Sequence, residues 1–156
     1  MAITSAICNS FNQEILVGTH NFTASSGNTF KIALYSSNSA TLSKSTTAYT
    51  APTDGTADPT NTYEVTSTSS GYTTGGNSLT SVTPVLSGDT ACCKFSDTSW
   101  GSSASFTARG CLIYNSSASN KAVCAINFGS DKTVTSGTFT IQFPAQTAGN
   151  AIIQIA

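Results

Sequence analysis

Apolar residues in this chain recur at every second position in short runs closed by glycine, proline or asparagine, and that rhythm confines it to a β fold. Phe30, Ile32 and Leu34 alternate with Lys31, Ala33 and Tyr35 after Gly27-Asn28, and Phe139, Ile141 and Phe143 alternate ahead of Pro144. Successive side chains of a strand point to opposite faces, so each run can turn one apolar face to a core. Similar runs lie at Leu79 to Leu86, Thr90 to Phe95, Phe106 to Tyr114, Ala122 to Phe128 and Ala151 to Ala156. Roughly six to eight short strands without βαβ alternation predict a mainly β fold, an antiparallel β-sandwich or a small barrel.

Turn chemistry orders these runs. Gly88-Asp89 predicts a hairpin between the Leu79 and Thr90 runs, and the segment Asn115 to Asn120 predicts the tightest core hairpin. Pro84 lacks the amide a central strand needs, which confines its strand to an edge or to a bulge. Residues 36–62 and 66–78 are dominated by Ser, Thr, Asn and Gly and are expected as long polar loops, with Asp54-Gly55 and Asp58-Pro59 as turns.

One segment has a different period. Ile7, Cys8, Phe11 and Ile15 form a helical stripe, which predicts an amphipathic helix over residues 4–18 with Thr4 or Ser5 as N-cap and Gly18 closing its last turn. The expected organisation is a single domain over residues 1–156, the helix preceding a β core over 28–156. The apolar stripe Ile7, Phe11 and Ile15 is the candidate assembly contact.

Charge narrows the function. Only 8% of residues are charged, against about a quarter in an average protein, and about a third of the chain is Ser or Thr. Six basic residues against seven acidic ones leave a net charge of -1 with no cationic cluster, so nucleic acid is not an expected partner. No apolar stretch is long enough for a membrane span, and no cationic segment opens the chain as a secretory signal would. A surface with so little charge offers little opposition to contact between copies, which suits a homo-oligomer or an assembly subunit.

The residues that usually carry chemistry do not form a motif. His20 is the only histidine, and no G-x-S-x-G, P-loop, H-E-x-x-H or D-x-D-x-D pattern occurs. Cys8, Cys92, Cys93, Cys111 and Cys124 are odd in number and lack a C-x-x-C pair, which reads as buried small hydrophobes rather than a metal site or a disulfide framework. If the adjacent Cys92 and Cys93 lie on a strand they point to opposite faces, leaving one thiol outward for a neighbour. Arg109, the sole arginine, is expected in a structural ion pair with a carboxylate such as Asp97 or Glu64. Tyr49, Tyr72 and Trp100 are candidate loop aromatics able to stack on a sugar. The expectation is a protein without enzymatic activity, cofactor or metal.

Several segments together carry a resemblance: Ser5-Ala-Ile-Cys-Asn-Ser-Phe11, Gly18-Thr-His-Asn-Phe22, Phe30-Lys-Ile-Ala-Leu-Tyr35, Gly71-Tyr-Thr-Thr-Gly-Gly76, Thr107-Ala-Arg-Gly110 and Phe139-Thr-Ile-Gln-Phe-Pro144. In this order they resemble small virion structural proteins of tailed bacteriophages. The resemblance implies a copy-rich particle component located in the virion, first a capsid decoration or cement protein bound to the major capsid protein. A tail, neck or fibre component that binds a receptor or glycan is the alternative it leaves open. The Cys92-Cys93 pair and the 36–62 loop depart from that pattern.

Overall fold

A computed structural model describes residues 2–36, 40–50, 63–67 and 70–156. Among the described residues the chain is mainly β, with two antiparallel sheets, one short helix and no closed barrel, an architecture of the β-sandwich type. In chain order the elements are β1 (Ala6–Ile7), α1 (Asn9–Leu16), β2 (Phe30–Tyr35), β3 (Asn77–Leu79), β4 (Ser81–Ser87), β5 (Thr90–Phe95), β6 (Thr98–Asn115), β7 (Lys121–Ile141) and β8 (Ile153–Ile155). The larger sheet has the order β1-β7-β6-β2-β3, the smaller one β4-β5-β8.

The frame is the β6–β7 hairpin, which is much longer than the run of apolar residues suggests. Pairing runs from Asn115↔Lys121 at the turn to Thr98↔Ile141 at the far end, through register shifts near Ala104, Gly110 and Ile113. Bulges add local bend and twist, and the ribbon curls enough for Ile126 and Phe139 to line one groove. Gly101 to Ser105 lacks apolar alternation, yet it lies within β6, where Ala104 pairs with Gly137 of β7.

β2 packs centrally between β6 and β3. Its expected half-burial gives way to nearly complete burial: Ile32, Ala33, Leu34 and Tyr35 are all sealed, on both faces, and only Lys31 is partly open. The reason is that the segments 40–50, 63–67 and 70–76 cover the face that alternation alone assigns to solvent. Ala40, Leu42, Tyr49, Val65 and Tyr72 from these segments are buried in the common core. The expected loop 36–62 is therefore partly core-forming where it is described, while its turn signals Asp54-Gly55 and Asp58-Pro59 lie outside the described residues. The expected loop 66–78 ends earlier, because β3 starts at Asn77.

Leu79 to Leu86 is not one strand. The chain leaves β3 at Leu79 and enters β4 in the other sheet at Ser81. Pro84 sits on edge strand β4, within a register shift between Val82 and Val85, as the missing amide requires. The Gly88-Asp89 turn joins β4 to β5 as a hairpin, with Ser87 opposite Thr90.

The helix is shorter than the expected 4–18. Ala6 and Ile7 are extended and pair with Ala125 and Cys124, so the helix begins only after Cys8, which caps it without a side-chain bond. Its end does follow the glycine signal. Gly18 has φ +73°, its amide bonds to the Ile15 carbonyl, and the Thr19 amide bonds to the Glu14 carbonyl, the pair of bonds that closes a helix through a left-handed residue.

Candidate functional site

The closing turn of α1 does more than end the helix. It reverses the chain so that His20 lies beside Glu14, with Nε2 donating to Oε2 at 2.8 Å. Asn115 Nδ2 donates to His20 Nδ1 at 3.1 Å and also to Asn28 Oδ1 at 3.1 Å, and Asn28 Oδ1 takes the Asn21 amide at 2.7 Å. Both ring nitrogens of the imidazole thus have hydrogen-bond partners. Lys121 Nζ completes the group at 2.7 Å from Glu14 Oε1. Burial opposes ionisation of Glu14, but the hydrogen bonds and charges of Lys121 and His20 outweigh it and hold the carboxyl below its ordinary value. The His20 side chain is sealed, with Phe11 at 4.9 Å and Phe30 at 6.3 Å between ring centres. The sequence offers one signal for this pairing: Gly18 between Glu14 and His20, at the place where a helix turns back.

A second buried carboxylate stands across the fold. Glu64, bridged to Tyr35 of β2, accepts from Tyr49 Oη at 2.9 Å, Tyr72 Oη at 2.7 Å and the Gly75 amide at 2.7 Å. Tyr114 Oη donates to the Gly75 carbonyl at 2.8 Å, and Tyr49 stacks on Tyr114 at 4.4 Å. Burial first, then the negative charge of Glu64, raises the hydroxyls of Tyr35, Tyr49, Tyr72 and Tyr114 far above the ordinary tyrosine value. The sequence gives no sign of this role for Glu64, since its donors come from residues 49, 72 and 75.

These contacts correct several expectations. Tyr49, Tyr72 and Trp100 are buried, not loop rings open to a sugar; Tyr72 stacks on Trp100 at 6.0 Å, and Trp100 meets Phe139 edge-on at 5.9 Å. Arg109 does lie in an ion pair, though not with Asp97 or Glu64. Its Nη1 lies 3.4 Å from Asp131 Oδ1, because β7 places Asp131 beside it, while Asp97 accepts the Phe143 amide at 2.9 Å. Both Cys92 and Cys93 are buried, so no outward thiol is offered at that pair.

All five thiols are free and buried. Burial pushes Cys93 up to about 12; burial, then the charge of Glu14, pushes Cys8 up to about 11. Cys111 and Cys124 are likewise raised well above the ordinary thiol value, chiefly by burial. Protonated thiols in apolar surroundings are poor nucleophiles and poor metal ligands. Among the described residues no group of three or more His, Cys, Asp or Glu is placed to hold a metal ion, and no helix is long and apolar enough to cross a membrane.

Two of the grooves that the fold leaves open are apolar. One groove of about 460 Å³ runs between the end of α1, with Phe11 and Ile15, and the small sheet, with Cys93, Ile153 and Ile155. Of the expected assembly stripe, Phe11 and Ile15 line this groove, Phe11 as a buried core residue, whereas Ile7 lies on β1 opposite Cys124. A second groove of about 500 Å³ lies inside the curl of the β6–β7 ribbon, lined by Ile126, Phe128, Phe139, Ile141 and Phe143, with Lys132 among its lining residues. The two grooves share no lining residue. Sequence reading missed Leu16 and Val17, 85% and 73% exposed, which lie in the chain between the groove residues Ile15 and Gly18, because a helix ending at residue 18 gives them no distinct face. Comparison of the chain with protein-family models, with curated proteins and with solved structures finds no match.

Proposed function

We propose that this chain is a non-enzymatic virion structural protein of a tailed bacteriophage, seated on the major capsid lattice as a decoration or cement protein. The observation that carries the reading is the pair of separate apolar grooves on a domain that spends Glu14, His20, Glu64 and its thiols on its own fold. A protein that staples a lattice needs two contact surfaces, one for the lattice and one for a neighbour, and apolar patches of this kind mark such surfaces.

The ribbon groove is assigned to the lattice. Half-buried Phe128, Phe139 and Ile141 give it aromatic and aliphatic anchors, the residue types that dominate contact energy. The N-terminal segment is not available for that task, since the Thr4 amide bonds to the Leu42 carbonyl, the Cys8 amide to Val123 and the Asn9 amide to Lys44. Glycan stacking by Tyr49, Tyr72 and Trp100 loses its residues to the core, so the tail or fibre reading has no observation in its favour.

The test is composition of separated particles. Purified tail-less heads of the encoding phage are expected to carry the chain in stoichiometric ratio to the major capsid protein, and Phe139→Asp is expected to release it while its circular dichroism spectrum stays native. Recovery of the chain with tails alone, or undiminished head binding by Phe139→Asp, would overturn the proposal.

A further inference from the structure

The groove at the end of α1 has features that identify its occupant. In the small sheet Leu86 pairs with Ala91 and Ala91 with Ile155, so these three form one row on one face. Leu86 is 75% and Ile155 54% exposed, while Cys93 and Ile153, one step along the same face, are buried. The inner face of the small sheet therefore runs out past the cover that α1 provides. Among the described residues five large apolar side chains are exposed; Ile155 lines this groove, Leu86 shares the sheet row of its lining residues Ala91 and Ile155, and Leu16 and Val17 lie in the chain between its lining residues Ile15 and Gly18. Soluble monomers rarely leave such a contiguous patch uncovered.

β8 is also the last strand of its sheet. No hydrogen bond to the backbone of residues 153–155 is made from its outer side among the described residues, so an open row of amides and carbonyls lies beside the apolar row. Such an edge is a template for another strand.

We propose that a second copy of this chain covers the groove, β8 pairing antiparallel with β8 of the other copy about a two-fold axis at Gln154. The register is self-complementary. Ile153 and Ile155 both point to the groove, so a two-fold at residue 154 sets Ile153 of each copy opposite Ile155 of the other, and the exposed isoleucine is buried twice over. Gln154 points the other way, its Oε1 taking the Gly149 amide at 2.6 Å and its Nε2 donating to the Ala151 carbonyl at 3.1 Å, and it does not obstruct the pairing.

Charge selects the second copy over other occupants. No Lys, Arg, Asp or Glu lines the groove, so the two-fold opposes no like charges. The same lack of cations removes the attraction that binds a surface helix or patch to an anionic lipid headgroup. The net charge of -1 adds almost no long-range repulsion between copies.

Sedimentation equilibrium of the purified chain across the micromolar range tests this. A particle of twice 15.9 kDa is expected. Ile155→Asp is expected to weaken the dimer on the order of a hundredfold while its melting curve stays cooperative. Gln154→Cys, treated with a short bismaleimide, is expected to give a covalent dimer, whereas Thr138→Cys on β7 is not. A wild-type chain that stays monomeric, an Ile155→Asp chain that stays dimeric, or a Gln154→Cys dimer that does not cross-link would each overturn the proposal, the last because it removes the two-fold at residue 154. Head binding by a monomeric wild-type chain would sink this inference and leave the lattice reading intact.

Discussion

Tyr72 donates its hydroxyl to Glu64 at 2.7 Å and with the same oxygen accepts the Leu34 amide at 3.0 Å, joining a segment without regular structure to β2, an interior strand of the larger sheet. Glu64 adds Tyr49 and the Gly75 amide to that joint. A buried carboxylate with three donors is stable where it stands, but removing it leaves the donors without partners, and each unsatisfied buried group costs about 1–3 kcal/mol. Glu64→Ala is therefore expected to destabilise the chain by about 3 kcal/mol, lowering the melting temperature on the order of 10 °C. Tyr72→Phe, which removes one donor and one acceptor, is expected to cost roughly half as much. Thermal unfolding followed by circular dichroism checks both; equal melting temperatures for Glu64→Ala and the wild type would contradict the joint.

The same cluster sets the alkaline limit. Burial and then Glu64 raise Tyr35, Tyr49, Tyr72 and Tyr114, so the folded state holds their protons at a pH where the unfolded chain loses them. A group raised in the folded state contributes stability that is complete below its unfolded value, near 10 for tyrosine, and that is lost as pH rises above it. Absorbance at 295 nm is expected to show these four ionising in one cooperative step that coincides with loss of the β-sheet spectrum. Ionisation spread over several pH units before unfolding would refute the burial argument.

At the acid end the sign reverses. Glu14 is held below its ordinary value by Lys121 and His20 against the opposing effect of burial, so its contribution is present above the unfolded carboxylate value, about 4.3, and is lost as pH falls through the lower folded one. Glu14→Gln is expected to cost on the order of 2 kcal/mol at neutral pH, with the gap to wild type narrowing as pH falls below about 4. Urea unfolding at pH 7 and pH 3 measures the gap; a constant difference would show that the carboxylate charge has no part in stability.

The sequence shows the strands and hides the joints. Alternation places Phe30 to Tyr35 and Ala122 to Phe128 on strands, and Pro84 marks an edge, because these are local consequences of side-chain pattern and a missing amide. Gly101 to Ser105 is strand only because β7 holds it, a long-range pairing that a polar run does not announce. Ala6 and Ile7 fit a helical stripe, yet they extend because Ala125 and Cys124 are there to pair with. The grooves needed the fold entirely: Ile15 and Ile155 meet at one of them across almost the whole chain.

Gly76 concentrates the same lesson at one atom. It holds φ +71°, and a Cβ there would sit 1.7 Å from the Ile32 carbonyl oxygen of β2. The clash is with backbone on β2, which is fixed between β3 and β6 and cannot give way. A side chain would also strain the left-handed conformation. Gly76→Ala is expected to prevent folding of the native state, or to lower the melting temperature far more than Gly88→Ala. Gly88 also has positive φ, +61°, but has open space around it, so only the conformational cost of about 1 kcal/mol applies there. Comparing the two alanine variants by thermal unfolding separates backbone strain, which they share, from the close approach to Ile32, which Gly76 alone makes. Equal melting temperatures would mean that the turn at Gly75-Gly76 does not lie against β2 as described.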